Sequence, residues 1–225
     1  MITPALIKAD VVDIRKPASA TPQDMVTDAN VLYWIFYPNF SSLSYAGGKQ
    51  PLAYQVAEYP KYWQKAAKAK TQFHVVTATL GEFAKVAEYA ELEAIWLTDP
   101  SSPQPDPAKP VTQFDPRICK FARYHYSGQL ATVRGSIETM IASVRKSVGL
   151  LPHFATSDDL QHSSTAEWRP SCGDFLDAVM IASAKKQSKP HVLSDDMDIA
   201  TFSGITLYTG NQKTIAAAAA AGKLL

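Results

Sequence analysis

The sequence predicts an α/β fold in which helices cover both faces of a parallel sheet. In the last third of the chain, residues 190–193 and 205–208 are short apolar stretches typical of strands, and residues 174–186 have the pattern of a helix. Earlier, the apolar residues 73–76 precede a helical pattern from about residue 79 to 96. Strands that alternate with helices are typical of a parallel sheet with both faces covered. We therefore predict a three-layer α/β/α architecture around a central parallel sheet.

Composition indicates one globular domain and argues against several classes of protein. The chain has 225 residues, of which 46% are hydrophobic and 19% charged, enough for a single core. Its net charge of +1 gives no general attraction to nucleic acid or membrane, so a polyanion must bind a local patch. The two cysteines have neither metal-ligand nor disulfide spacing, and no stretch reaches the roughly 18 apolar residues of a membrane span. We expect a cytoplasmic protein without a membrane partner.

The chain is predicted to carry two additions to one domain. Residues 1–23 are interpreted as an N-terminal strand and connector that precede a single domain at 24–225. Within that domain, residues 25–28 and 31–36 are interpreted as the first core strand, and residues from about 98 to 170 as a helical insertion. The insertion begins with prolines that predict a surface excursion: Pro100, Pro103, Pro105, Pro107 and Pro110.

Four further segments have recognisable patterns. Residues 52–70 are predicted to be a helix that Pro60 breaks or kinks. A long helix is expected at 129–148 and a polar loop at 157–169. The tail at 214–225 is rich in alanine and has high helix propensity, but it is expected to fray or pack loosely because it has few large apolar side chains.

Acidic side chains follow two of the predicted strands. Asp28 closes the first core strand, and residues 191–193 are followed by three acids, Asp195, Asp196 and Asp198. In open parallel sheets, ligands bind beyond the carboxyl ends of the strands. The alternative for Asp28 is a turn-forming Asp at a strand end, and for Asp195 or Asp196 it is a helix N-cap. One cap would leave the other two acids after residue 193 unexplained.

Three more acids lie on predicted helices. Asp177 belongs to an apolar helix, so its carboxylate is expected to be buried and to need a cation or several hydrogen-bond donors. Asp174 begins the same helix and is expected to be its N-cap. Glu82 follows Thr79 with the spacing of a capping box, so it is either a cap or a ligand. Because converging carboxylates repel each other, this oxygen-only set suits Mg²⁺ or Mn²⁺.

Four segments, in this order, are similar to the acidic motifs of PIN-domain nucleases, the superfamily that includes VapC-type toxins. They are residues 25–32 (MVTDANVL), 76–83 (VTATLGEF), 176–184 (LDAVMIASA) and 192–199 (VLSDDMDI). In the last segment, Ser194 stands where the family prefers Thr, and Ile199 stands where it has Phe. The leader and the long insertion depart from a minimal toxin of this family.

The resemblance implies a PIN-like fold and metal-dependent hydrolysis of RNA by an endoribonuclease that binds Mg²⁺ or Mn²⁺. It implies four catalytic and metal-binding acids: Asp28, Glu82, Asp177 and Asp196. It also implies Asp198 as a further metal ligand, with Asn30 and Ser194 as supporting residues. A toxin role with an antitoxin partner and a homodimeric state are left open.

A basic and aromatic stretch at 114–126 is the candidate for RNA binding. The residues of this candidate are Arg117, Lys120, Arg123 and Tyr124. Cations and exposed rings can hold phosphates and stack on unpaired bases, so the expected RNA is single-stranded or contains loops. The alternative is an ordinary solvated surface.

Two other functions compete with the nuclease. One is a non-catalytic PIN-like module for RNA binding or assembly. The other is a phosphohydrolase of the haloacid dehalogenase type, suggested by Asp28 and by residues 173–177. That chemistry requires a second acid two residues after the first, where this chain has Asn30.

Overall fold

The computed structural model describes residues 3–38, 52–99, 102, 114, 116–152 and 157–225, and the side chains of all of these except 116, 117 and 157–161. Within this part of the chain, six strands form one all-parallel sheet. The strands are β1 (Asp10–Asp13), β2 (Asp24–Thr27), β3 (Gln72–Val75), β4 (Gly149–Leu150), β5 (His191–Leu193) and β6 (Thr206–Thr209). The helices are α1 (Ala29–Phe36), α2 (Ala53–Lys68), α3 (Thr77–Thr98), α4 (Pro116–His125), α5 (Ser127–Ser147), α6 (Ser157–Trp168), α7 (Phe175–Lys186) and α8 (Gln212–Ala220).

Helices cover both faces of the sheet. Neighbouring strand residues point to opposite sides, so each strand contributes apolar side chains to both faces. One core contains side chains of α1, α2, α3 and α5 together with Val12, Met25, Leu193 and Tyr208. The other contains side chains of α7 and α8 together with Val11, Val26, Val192 and Leu207. The prediction of a central parallel sheet between helices is therefore confirmed.

The strand order reverses between β2 and β5. The order across the sheet is β1, β6, β5, β2, β3, β4, so β3 and β4 lie on one side of β2 while β5 and β6 lie on the other. The helices after β2 pack on one face, and the 3-10 helix Met197–Thr201 after β5 packs on the opposite face. Connections that leave in opposite directions open a crevice at the carboxyl ends of two neighbouring strands, where open α/β sheets bind ligands.

The segment after β2 differs from its prediction, because residues 31–36 form helix α1 and not a strand. Asp28 is the N-cap of α1, and its Oδ1 accepts a hydrogen bond from the backbone N–H of Ala29 at 2.6 Å. The apolar stretch suits a helix at this position since Val31 and Leu32 are fully buried in the core.

The N-terminal segment contributes a strand to the sheet, and the C-terminal segment packs against one face of it. Strand β1, predicted as part of a leader, pairs with β6. The predicted loose packing of the C-terminal tail is wrong, because Ala218 is fully buried and Leu224 forms a bridge with Val11. Asn211 caps α8 by accepting hydrogen bonds from two backbone N–H groups. Small alanine side chains let α8 approach the sheet closely, which compensates for the lack of large apolar residues.

Other predictions have mixed outcomes. Helix α2 runs through Pro60 without ending there. Residues 157–168 form helix α6, packed against α7, where a loop was predicted. The five prolines between 100 and 110 lie outside the described residues. Among the described helices, none is long and apolar enough to cross a membrane.

Candidate active site

Asp28 lies at the carboxyl end of β2, in the crevice beside β5. Its backbone N–H donates to the carbonyl of Leu193 at 3.1 Å, which continues the pairing of the two strands by one residue. The hydroxyl of Ser194 donates to Asp28 Oδ2 at 2.8 Å, and Ser194 Oγ accepts from the backbone N–H of Asp196 at 3.0 Å. Asp28 is only 7% exposed. The predicted supporting residue Ser194 thus joins two of the predicted site acids.

The Asp28 carboxyl group is buried without a cationic partner among the described residues. Burial raises its pKa to about 6, and the hydrogen bond from Ser194 opposes this increase. The negative charges of Glu82 and Asp196 raise the pKa further. A turn or cap role explains where the Asp28 side chain points, but it does not neutralise the charge.

Asp177 lies in the first turn of α7, close enough to Asp28 for their charges to interact. Asp174 is the N-cap of α7, as predicted, and its Oδ1 accepts from the backbone N–H of Asp177 at 2.9 Å. In return, Asp177 Oδ2 accepts from the backbone N–H of Asp174 at 3.0 Å. Gly173 precedes this capping box, and a Cβ atom there would lie 2.6 Å from the ring of Phe202. The tight turn before α7 therefore depends on glycine.

The capping box does not remove the electrostatic cost of ionising Asp177. Burial raises the pKa of Asp177 to about 8, and the charges of Asp174, Asp28 and Asp196 add to this increase. The hydrogen bond from the Asp174 backbone acts in the opposite direction. Asp177 thus has both a local structural role and a perturbed carboxyl group, which is typical of functional sites.

Glu82 is not the cap that its spacing from Thr79 suggested. Helix α3 begins at Thr77, with Val76 as N-cap, so Thr79 is already the third residue of the helix. Although Glu82 is an exposed residue, partial desolvation by the surrounding protein raises the pKa of its carboxyl group. The charges of Asp174 and Asp196 raise it too, whereas the charge of Lys85 lowers it.

The acids after β5 have separate roles. Asp196 is the N-cap of the 3-10 helix, and its Oδ1 accepts from the backbone N–H of Asp198 at 2.8 Å. Burial raises the pKa of Asp198, and the charge of Asp196 adds to this effect. Asp195 is instead surrounded by neutral donors, and it serves to fix α2 to the end of β5. The donors are the hydroxyls of Tyr54 and Tyr59, at 2.8 and 2.7 Å, and the amide of Gln55, at 2.6 Å.

Asp196 connects the predicted acids electrostatically, since its charge raises the pKa of Asp28, Glu82 and Asp177 alike. Among the described residues, however, no three His, Cys, Asp or Glu side chains are arranged to hold a metal ion directly. Three of these carboxylates, those of Asp28, Asp177 and Asp196, are oriented by the hydrogen bonds that cap α1, α7 and the 3-10 helix. Asn30 is exposed on α1, and its side chain forms no hydrogen bond with these acids within the described residues.

The predicted RNA-binding residues lie on α4. Lys120 and Tyr124 are exposed, and the side chain of Arg117 lies outside the described part of the chain. Arg123 donates from Nε to Glu88 at 2.5 Å, and a second arginine, Arg134, donates to the other oxygen of Glu88 at 2.9 Å. Glu88 and Arg134 are functional candidates that the sequence analysis missed. Their partners are 35 and 46 residues away, so no local spacing could reveal them.

Known proteins give no further identification of the chain. No family model, curated protein or solved structure matches it. The resemblance to PIN-domain nucleases therefore depends on the four sequence segments and stays a prediction.

Proposed function

We propose that the protein is a metal-dependent endoribonuclease of the PIN type. One observation carries this proposal: four carboxylates from four chain segments interact electrostatically at the reversal point of a parallel sheet. The four are Asp28, Glu82, Asp177 and Asp196. Within the described residues, none of them forms an ion pair with Lys, Arg or His. Uncompensated acids in a crevice at strand ends favour a bound cation.

The chemistry of the donor set fits Mg²⁺ or Mn²⁺. All four candidate ligands are carboxylate oxygens, and Mg²⁺ needs only one or two of them because it keeps several waters. Within the described residues, Asp177 Oδ1 and Asp196 Oδ2 accept no hydrogen bond, so each can serve as a ligand while the other oxygen keeps its capping role. Asp28 and Glu82 would complete the four, with Asp198 as a further carboxylate ligand.

The protein contributes orientation and proton control to the proposed reaction. When bound, the metal ion supplies an activated water and charge stabilisation at the phosphodiester. Ser194 holds Asp28 in one orientation and is itself fixed by the backbone of Asp196. Asp177, with a pKa of about 8, keeps a proton near neutral pH in the metal-free protein. Metal binding must displace this proton, so metal affinity should increase with pH.

A cleavage assay with a stability readout tests the proposal. Purified protein should cleave single-stranded or loop-containing RNA in Mg²⁺ or Mn²⁺. This cleavage should stop in EDTA and should fall about a thousandfold in Asp28→Asn. Because an ion that binds only the folded state stabilises it, Mn²⁺ should raise the Tm of the wild type but not of Asp28→Asn. Cleavage that persists unchanged in Asp28→Asn would indicate a contaminating nuclease and would count against the proposal.

The second candidate is a non-catalytic RNA-binding or assembly module of the same fold. The observation in its favour is that Asp28, Asp177 and Asp196 each have a local hydrogen-bonding role at a helix start. This candidate predicts no rise in Tm with Mn²⁺ and no cleavage of any RNA, together with retained RNA binding.

A further inference from the structure

A pocket lies between α3, α4 and α5, outside the set of acids described above. Its volume is about 300 Å³, at the lower end of the range for small-ligand pockets. The apolar part of its lining comes from Ala84, Ile137 and Ile141. The cationic part comes from Lys85, Arg123 and Arg134. We call it the guanidinium pocket because two arginines define it.

Glu88 holds the two arginines of this pocket in place. It is only 8% exposed, and each of its oxygens accepts from the Nε–H of one arginine, Arg123 at 2.5 Å and Arg134 at 2.9 Å. Burial alone would raise the pKa of Glu88, but the hydrogen bonds and charges of both arginines lower it, so the carboxylate stays ionised. A guanidinium has five N–H donors, and within the described residues these contacts use only Nε.

The pocket therefore presents terminal guanidinium donors that are already ordered. Three cations face two carboxylates, Glu88 and Glu138, which leaves a net positive charge in a protein with little overall charge. Preordered donors bind a ligand without the full cost of immobilising long side chains. Planar guanidinium groups are suited to two-point contacts with phosphate oxygens.

The position of the pocket connects it to the proposed active site. Lys85 lies one helical turn after Glu82 on α3, so the two side chains are neighbours on the surface of this helix. Glu88 is six residues beyond Glu82, which corresponds to about 9 Å along the helix axis. An axial separation of this size is within the length of a short stretch of nucleic acid backbone.

We infer that the guanidinium pocket binds a phosphate of the RNA strand beside the bond that is cleaved, with a sugar or base against its apolar lining. The inference rests on the proposed function for the identity of the ligand. It reassigns the role of Arg123, which acts here together with Arg134 and Lys85. Substrate contact is thereby placed in the pocket between α3, α4 and α5, and not on the exposed Lys120 and Tyr124 of α4.

Arg134→Gln tests the inference, with Arg145→Gln as the matched control. Both arginines are exposed on α5, but Arg145 does not line the pocket. Binding of a fluorescent single-stranded RNA is measured in Mg²⁺ in the Asp28→Asn background, which prevents cleavage. Loss of one charged hydrogen-bond partner should weaken binding about tenfold in Arg134→Gln. The slope of log affinity against log salt should fall in magnitude by about 0.7, the value for one phosphate contact to a single strand. Arg145→Gln should change neither quantity.

Stability and kinetics separate a binding role from a structural one. Arg123 still neutralises Glu88 in Arg134→Gln, so the thermal melt should stay close to that of wild type. With Asp28 intact, KM should rise while kcat stays nearly unchanged. If Arg134→Gln does not fold, Lys85→Gln replaces it, with the exposed Lys146→Gln on α5 as control.

The outcomes distinguish this inference from the proposed nuclease function. Equal RNA affinity in Arg134→Gln and Arg145→Gln overturns the inference, even if the protein cleaves RNA. Weaker binding in Arg134→Gln alone supports the inference, even if no cleavage is found in any variant. Absence of RNA binding by every variant overturns the inference as well.

Discussion

Two buried aspartates stand at the same edge of the sheet and differ in their neighbours. Asp13 ends β1 and is 6% exposed, while Asp28 follows β2 and is 7% exposed. Arg15 forms a two-point ion pair with Asp13, with both N–O distances at 2.8 Å. Burial would raise the pKa of Asp13, but the hydrogen bonds and charge of Arg15 outweigh it and lower the pKa. For Asp28, burial raises the pKa, and the negative charges of Glu82 and Asp196 raise it further, to about 6.

The comparison shows that burial alone does not distinguish a structural acid from a functional one. The cation beside Asp13 is two residues away in sequence, whereas the charges near Asp28 are Glu82 and Asp196, from distant segments. Asp195 is a third case, since its carboxylate accepts hydrogen bonds from neutral hydroxyl and amide donors. Among these buried acids, Asp28 alone is surrounded by like charges, which makes it the strongest candidate for binding a cation.

The largest expected effect comes from neutralising the two aspartates separately. Asp28→Asn should reduce metal-dependent RNA cleavage about a thousandfold, because a ligand that supplies several kcal/mol of charge stabilisation is lost. Asp13→Asn should keep full activity but lower the free energy of unfolding by about 1–3 kcal/mol, because Arg15 loses its partner. Urea unfolding measures the stability of both variants, and a cleavage assay measures their activity. Similar losses of activity in the two variants would contradict the distinction.

The pH dependence of stability should also have opposite signs in the two regions. The folded-state pKa values of Asp28 and Asp177, about 6 and 8, exceed the ordinary value of 3.8, so the folded protein binds more protons than the unfolded chain between these limits. The contribution of these two carboxyl groups to the free energy of unfolding of the metal-free protein should therefore fall by several kcal/mol as pH rises from 4 to 8. Asp13, with a lowered pKa, contributes stability that is complete above 3.8 and is lost at lower pH.

Asp177→Asn is the substitution that isolates this effect. Asparagine keeps an oxygen that can accept the hydrogen bond from the Asp174 backbone, so the capping box persists while the ionisable group is removed. The metal-free variant should be at least as stable as wild type at pH 8, and its stability should depend less on pH. Urea unfolding in EDTA at pH 5 and pH 8 measures both quantities. A large loss of stability at pH 8 would mean that Asp177 is ionised and paired in the folded protein.

Sequence patterns predicted the parallel sheet but not the local structure around the candidate acids. Residues 31–36 are six consecutive apolar or aromatic residues, a stretch without a period, and only the cap at Asp28 and the packing of α1 decide between helix and strand. Thr79 and Glu82 have the spacing of a capping box, but α3 begins at Thr77, and its N-cap, Val76, directly follows β3. In both cases, the end of the preceding strand determines where the helix starts.

Long-range pairs set the other limit on prediction from sequence. Glu88, on a different helix, organises the charges of Arg123 and Arg134. The sequence instead placed the RNA contacts on Arg117, Lys120, Arg123 and Tyr124, which are close together along the chain. The four motif segments predict which acids form the candidate site. Their electrostatic interaction becomes visible only when the sheet brings the segments together.

The smallest expected effect concerns Glu82, the most exposed of the four acids. Glu82→Gln should leave the free energy of unfolding within about 0.5 kcal/mol of wild type, because no capping hydrogen bond is lost at this exposed position. It should reduce cleavage about tenfold, which is less than for Asp28→Asn, since an exposed ligand is more easily replaced by water. The pKa of Asp28 should also fall, because the charge of Glu82 raises it in the wild type. NMR titration of the Asp28 carboxyl carbon measures that change independently of activity.

Glu58→Gln, at a carboxylate of α2 that pairs with Lys61, is the matched control and should change neither cleavage nor the Asp28 titration. Unchanged cleavage together with an unchanged Asp28 titration in Glu82→Gln would remove Glu82 from the site and leave a set of three acids.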